Sequence, residues 1–272
     1  MDIKKKIYRK LIAQDSRDKE SERDIVTDSG NYNSGSDYSY VPSCDINTLK
    51  NIAWGYTITE NSIAVLSDLR NYTNHIYHSE LSEIIGIGKN SEYELTYSIW
   101  EEKIFNRIHP DDLSKKHINE LQFYYFLKGL PFNERKGYYV RLNIRMQDNH
   151  GTYLPITHRI FYFYDKYYKV IKYALCLYNL NTNTQSNLSF ILNTISFKVI
   201  HLSEINCSCI LSDREKEILS LIDKGMSSKE ISEILSISKN TVSRHRQNII
   251  EKLQVRNSVE ACKIAKDMKL II

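Results

Sequence analysis

The chain has 272 residues, enough for two domains, with 42% hydrophobic and 26% charged residues and a formal net charge of +4. No run of about 18 apolar residues occurs, so no membrane span is expected. "MDIKKKIYRKLIAQDSRDKE" at the start has no apolar core of signal-peptide type, so a cytoplasmic location is expected. The cysteines, Cys44, Cys176, Cys207, Cys209 and Cys262, are odd in number and scattered, which argues against a disulfide framework. Cys207-Ser-Cys209 lacks the second pair that a tetrahedral zinc site needs, and no metal or other cofactor is expected.

Residues 1–50 read as a polar arm. "DSGNYNSGSDYSY" offers little apolar surface to bury, and "IKKKIYRKLIAQ" before it fits a short helix. Residues 51–182 are aromatic-rich and better patterned. "IFNRIHPDDLSKKHINELQFYYFLKG" contains a helix whose start suits Pro110, Asp111 and Asp112, because carboxylates there meet free amides and a positive dipole. "GYYVRLNIRMQ", "TYLPITHRIFYFY" and "VIKYALCLYNL" follow as three strands. Gly151 lies in the first turn between them and Asp165-Lys166 in the second. Such a meander predicts an antiparallel sheet with one buried face. His117 and His158 have no corroborating ligands nearby in sequence and read as core or surface histidines. The runs "QFYYFLKG" and "FYFYDKYYK" fit either a pocket lining or core and interface aromatics.

Ile108-His-Pro-Asp-Asp112, then a helix, then the meander resembles a PAS domain over roughly residues 60–180, with "NHIYHSELSEIIGI" supplying first strands and a short helix. The resemblance implies a sensory module that takes a small-molecule or protein signal.

Residues 183–209 read as a connector, opened by the polar "NTNTQSN". In "LSFILNTISFKVIHL", Leu188, Ile191, Leu192, Ile195, Val199 and Leu202 fit helical spacing, while the β-branched and Phe content suits a strand. Both readings stay open.

Residues 210–272 carry 12 Lys and Arg against 9 Asp and Glu, so most of the chain's positive surplus sits here. That is a modest sign of a polyanionic partner. Four helices are predicted. "SDRE", "SSKE" and "NSVE" each place a capping side chain three residues before a Glu, and Ser238 caps the remaining helix. Gly225 stands where the first helix needs a left-handed residue. Ser236 to Ser238 separate the second helix from the third, which makes a helix-turn-helix. On the third helix Val242, Ile249 and Leu253 fall within about 40° of one another as a buried stripe. Ser243, Arg244, Gln247 and Glu251 lie opposite, with His245 and Arg246 flanking the stripe. An α-helix fits the major groove, where Arg bonds guanine and Gln bonds adenine through paired contacts. An isolated amphipathic helix with a solvated face would look similar; the four capped helices and the tight turn favour DNA.

Leu211-Ser-Asp-Arg-Glu215, Glu217-Ile-Leu219, Gly225, Lys229-Glu-Ile231, Thr241-Val242, His245, Lys252-Leu253 and Val255 stand in an order that resembles the LuxR-type (FixJ or GerE) DNA-binding domain over residues 211–271. The resemblance implies that Ser243, Arg244 and Gln247 face bases and that Lys239, Thr241 and Arg246 lie near phosphates. Many members carry Lys directly after the Thr-Val pair. Ser243 stands there instead, which bears on the base sequence read. The last helix serves as a dimer contact in several relatives, making Val259, Cys262 and Lys266 candidates for that face; core packing with solvated lysines is the alternative.

The expected whole is an α+β protein: a PAS-like antiparallel sheet domain followed by an all-α four-helix helix-turn-helix domain. It is expected to act as a sequence-specific transcription regulator, with double-stranded DNA, a second copy of itself and RNA polymerase as partners and no membrane. Neither half brings a nucleophile, a base and an orienting group together, so no enzyme is expected. The competing readings are an adaptor or sigma-factor-like protein working through protein contacts, and an enzyme with an unrecognised N-terminal pocket.

Overall fold

A computed structural model describes residues 45–98, 101–165, 167, 169–182, 188–205, 207–208 and 210–272. The helix expected in residues 3–14 and nearly all of the polar arm lie outside them, as do Cys44, Lys166 and Cys209.

The first described helix, α1 (Ile46–Glu60), begins where the Asp45 carboxylate accepts hydrogen bonds from the Asn47 and Thr48 amides at 2.8 and 3.0 Å. It ends at Asn61, in the left-handed region at φ 50°. Then come β1 (Ile63–Asp68), β2 (Thr73–Tyr77), α2 (Glu80–Ile85), β3 (Tyr93–Thr96), α3 (Glu102–Phe105) and α4 (Pro110–Lys128). The predicted meander follows as β4 (Tyr138–Gln147), β5 (Tyr153–Tyr164) and β6 (Ile171–Leu180), then β7 (Phe190–Asn193) and β8 (Val199–His201). All eight strands form one antiparallel sheet in the order β3-β2-β1-β6-β5-β4-β7-β8.

Every residue of β1 is buried, because helices cover both faces of the sheet at that point. On the outer face Leu49 and Ala53 of α1 pack on Ala64, Leu66, Leu175 and Leu177. On the inner face α2, α3 and α4 cover Val65, Leu142, Ile144, Ile156 and Tyr178, with Phe123 and Leu127 of α4 pressed onto the same core. Burying a Leu or Phe here stabilises the fold by about 1.5–3 kcal/mol each.

His109-Pro110-Asp111-Asp112 takes the structural role expected of it. Pro110 opens α4, the His109 ring accepts from the Asp111 amide at 3.3 Å, and the Asp112 carboxylate accepts from the Arg145 amide and guanidinium at 2.8–2.9 Å.

The connector expected at 183–209 is not free of structure. β7 extends the sheet beyond β4, and β8 returns beside it. The helical reading of this stretch fails because its stripe is not buried: Ile191 is 0% exposed, but Ile195 is 69% and Val199 50% exposed. Asn193 explains the difference. Its side chain accepts from the Ile195 and Ser196 amides at 2.9 Å each and turns the chain back into a hairpin.

The four C-terminal helices are α5 (Asp213–Asp223), α6 (Ser228–Ile234), α7 (Lys239–Lys252) and α8 (Ser258–Asp267). Ile218, Leu219, Ile231, Val242, Ile249, Leu253, Ala261 and Ala265 make a second core. The expected α+β class is observed. The two parts are in contact: Leu121 of α4 belongs to the helical core, and Ile118 and Tyr125 pack against it.

Candidate nucleic-acid interface

Local chemistry fixes the C-terminal helices. Ser212 and Ser227 form reciprocal capping boxes with Glu215 and Glu230. The third expected box differs: Asn257 accepts from the Glu260 amide at 2.9 Å, but the Glu260 carboxylate takes the Arg256 amide instead of closing on Asn257. Asn257 is extended, at φ −155° and ψ 172°. Gly225 adopts φ +81° after α5, and Ser236, at φ 51°, turns the chain between α6 and α7. Ser238 then caps α7 by accepting the Thr241 amide at 3.0 Å.

These constraints orient α7. Val242, Ile249 and Leu253 point inward and are at most 1% exposed. Ser243, Arg244 and Gln247 are exposed together on the opposite side, and Lys239 is exposed at the helix start. Thr241 is half-buried and lies within 2.9 Å of the Ser238 hydroxyl. Arg246 is also half-buried; its Nη1 donates to the Ser228 hydroxyl at 2.7 Å, so it braces α7 against the start of α6. The Gln247 amide donates to Glu251 at 2.9 Å. Ser243, Arg244, Gln247 and Lys239 therefore share an open surface, while Arg246 sits at its edge.

Lys252, in the last turn of α7, pairs with the buried Glu215 at 2.7 Å. Burial pushes the Glu215 carboxyl up, but the Lys252 ammonium and the Ser212 bonds outweigh it and leave it below its ordinary range.

On α8, Val259 is 80% exposed, and Lys266 pairs with Asp223 at 2.8 Å. Cys262 departs from the outer-face expectation. It is buried in the helical core with its thiol directed at the Leu219 carbonyl, 3.9 Å away, because the α8 stripe of Ala261, Cys262, Ile264 and Ala265 turns toward α5.

The open polar face on a capped third helix, behind a tight turn, is the geometry of a groove-reading module. Residues 209–265 match the family profile described as "Bacterial regulatory proteins, luxR family". They form a LuxR-type helix-turn-helix domain. Its relatives include the "Uncharacterized response regulatory protein YgeK" of Escherichia coli (strain K12), 47% identical over 55 residues that cover 20% of this chain and 37% of YgeK. The transcriptional regulatory protein DesR of Bacillus subtilis (strain 168) is 46% identical over 57 residues, covering 21% of this chain and 29% of DesR. The matched stretch thus spans about a third of these relatives' length. A solved Vibrio cholera VqmA–ligand–DNA complex covers 82% of this chain and 89% of its own at 15% identity, with a TM-score of 0.30 that is too low to bear on function.

Two arrangements around α4 were not foreseen from the sequence. The first joins it to the LuxR-type domain. His117 Nε2 lies 3.0 Å from the Leu253 carbonyl, and the Tyr125 hydroxyl donates to the Lys252 carbonyl at 3.2 Å. Both carbonyls end α7, where helix geometry leaves acceptors without an intrahelical partner. The second arrangement lies on the opposite side of α4. Lys116 pairs with Glu120 at 2.6 Å, and Glu120 contacts the fully buried His158 of β5 at 3.4 Å. His158 stacks on Tyr178, whose hydroxyl donates to the buried Glu101. Burial, which the Glu120 contact offsets only in part, pushes the His158 imidazole down to about 4. Burial likewise raises the Glu101 carboxyl. Spacing could have placed Lys116 and Glu120 on one helix face, but nothing in the sequence marks His158 as their partner across the sheet.

Proposed function

We propose that this chain is a sequence-specific DNA-binding transcription regulator in which the sheet domain receives a small-molecule or protein signal and controls the LuxR-type domain. The observation that carries the reading is the shared exposure of Ser243, Arg244 and Gln247 on α7 of that domain. In this reading Arg244 and Gln247 meet base edges in the major groove, with Ser243 beside them. Lys239, Thr241 and Arg246 meet phosphates, helped by the free amides at the start of α7. The curated relatives named above carry regulatory names, and the same class of work is proposed here.

One short recognition helix covers few bases, so the bound form is a dimer on two half-sites about 10 base pairs apart. Val259 and Lys266 supply its α8 contact. The sheet domain binds rather than turns over its signal, and RNA polymerase is the downstream partner. No helix among the described residues is long and apolar enough to cross a membrane.

Selection of binding sites from random duplexes by the purified chain, followed by titration at several salt concentrations, tests the proposal. A recovered motif with paired half-sites, bound with a steep salt dependence, is the expected result. Equal binding to all duplexes, or none, would refute it.

A further inference from the structure

The outer face of the sheet carries a feature that neither the cores nor the DNA-binding face uses. Where α1 ends, a polar groove of about 400 Å³ opens over β4, β5 and β6, lined among others by Glu60, Tyr139, Arg141, Thr157, Arg159 and Asn179. Its size falls within the range of small-molecule sites. Two of its residues oppose each other: Arg141 and Arg159 are direct cross-strand partners. Like charges at paired positions destabilise a sheet unless something compensates them.

Among the described residues, only one of the two arginines is compensated by a carboxylate. Arg159 pairs with Glu60, donates to the Asn179 side-chain oxygen at 3.0 Å and lies over the Tyr56 ring. Arg141 has a 3.4 Å contact with the Thr157 hydroxyl and lies over the Phe190 ring, 5.7 Å from its centroid. Its Nε–H is buried without an acceptor among the described residues. A buried donor left unpaired costs about 1–3 kcal/mol, and here the cost falls on a cation facing a second cation. Breaches of this kind, unexplained by packing, concentrate at functional sites.

We propose that this groove is a binding site for a small metabolite carrying an oxyanion, a carboxylate or phosphate group, that bridges Arg141 and Arg159. A guanidinium offers such a group two parallel N–H donors. The oxyanion would neutralise the opposed pair and supply the acceptor that Arg141 Nε lacks. Thr157, Asn179 and Tyr139 would hold the polar body, for which the groove has room beyond a bare phosphate. Glu60 competes for Arg159 from inside the chain and sets the affinity. The site lies on the face of the sheet opposite the buried His158 cluster, so it is distinct from it.

The test uses the full chain without DNA. Succinate, citrate, inorganic phosphate and glucose 6-phosphate are titrated calorimetrically at matched ionic strength, with chloride as reference. The two carboxylates and the two phosphates separate the two sources of the oxyanion. Saturable binding of one anion per chain is expected for at least one probe. Arg141→Gln should weaken it about tenfold or more, the size of one lost charge-assisted pair, without lowering the melting temperature of the unliganded chain. Glu60→Gln should tighten it, and it keeps the test available if the arginine variant does not fold. The proposal is overturned if all four probes bind no better than chloride, if Arg141→Gln binds like the parent chain, or if Glu60→Gln binds more weakly.

Discussion

Arg244 and Arg246 stand two residues apart on α7, yet their surroundings predict opposite behaviour on truncation. Arg244 is exposed, so Arg244→Ala should change stability by no more than about 0.5 kcal/mol. In the proposed reading it should cost on the order of 1–3 kcal/mol of binding on the preferred site, about 5- to 150-fold in affinity, and relax discrimination at one base. Arg246 is half-buried and its guanidinium holds the Ser228 hydroxyl at 2.7 Å. Hydrogen bonds to charged groups contribute about 1.5–3 kcal/mol when sheltered, and partial exposure reduces that, so Arg246→Ala should destabilise the helical domain by about 1–2 kcal/mol. It should also weaken binding to all duplexes alike and lower the salt slope by about one unit. Urea unfolding of both variants, combined with titration of preferred and scrambled duplexes at several salt concentrations, measures all four quantities. If Arg244→Ala destabilised the domain by more than about 1 kcal/mol, or if Arg246→Ala shifted base preference while Arg244→Ala acted evenly, the orientation of α7 would be refuted.

Tyr125→Phe removes the hydroxyl that donates to the Lys252 carbonyl, at a cost of about 1 kcal/mol. Hydrogen exchange should quicken around the end of α7 and stay unchanged in β4–β6; uniform change across both parts would contradict the contact. His158 supplies a pH test. Its folded pKa, about 4, lies below its unfolded value near 6.5, so the unfolded chain binds the extra proton between them and stability falls as pH drops through that window. His158→Gln should flatten that part of the stability curve, and an unchanged slope would show that another group carries it. Val259→Asp alters a residue that is 80% exposed, so it should leave the fold intact while abolishing paired half-site binding. An unchanged dimeric complex would move the dimer contact elsewhere.

The helical part was far more legible in the sequence than the sheet part, for a physical reason. Helix caps, the Gly225 turn and the stripe of Val242, Ile249 and Leu253 are local signals, spaced within a few residues of one another. The meander was also legible, because β4, β5 and β6 are long, consecutive and joined by turns. The remainder depends on distant pairings. β1 reaches its place beside β6 through a register that joins Val65 to Cys176, and no local pattern announces it. β7 and β8 stay ambiguous in the sequence because Ile191, Ile195 and Val199 repeat every four residues, while the Asn193 turn that decides their shape rests on one side chain. For Cys262 the sequence leaves a dimer face and core packing both open, because the direction of α8 is set by what α5 presents to it, and the structure takes core packing. Arg141 and Arg159 lie 18 positions apart, and only strand pairing makes them opponents.

The placement of α4 limits how a signal in the sheet domain could act on DNA. One side of this helix holds Lys116, Glu120, Phe123 and Leu127 against the sheet, and the other holds His117, Leu121 and Tyr125 against the LuxR-type domain. Its hydrogen bonds end on the last carbonyls of α7, whereas Ser243, Arg244 and Gln247 lie earlier in that helix and stay exposed. Docking therefore does not cover the residues proposed to face the groove, and control by occlusion is not what this contact offers. What it fixes is the direction of α7 relative to the sheet. In a dimer that direction sets the separation of two recognition helices, which must match the spacing of two half-sites. A signal that favours one packing of α4 over another would act on that separation, and only to the extent that it binds the two packings with different affinity.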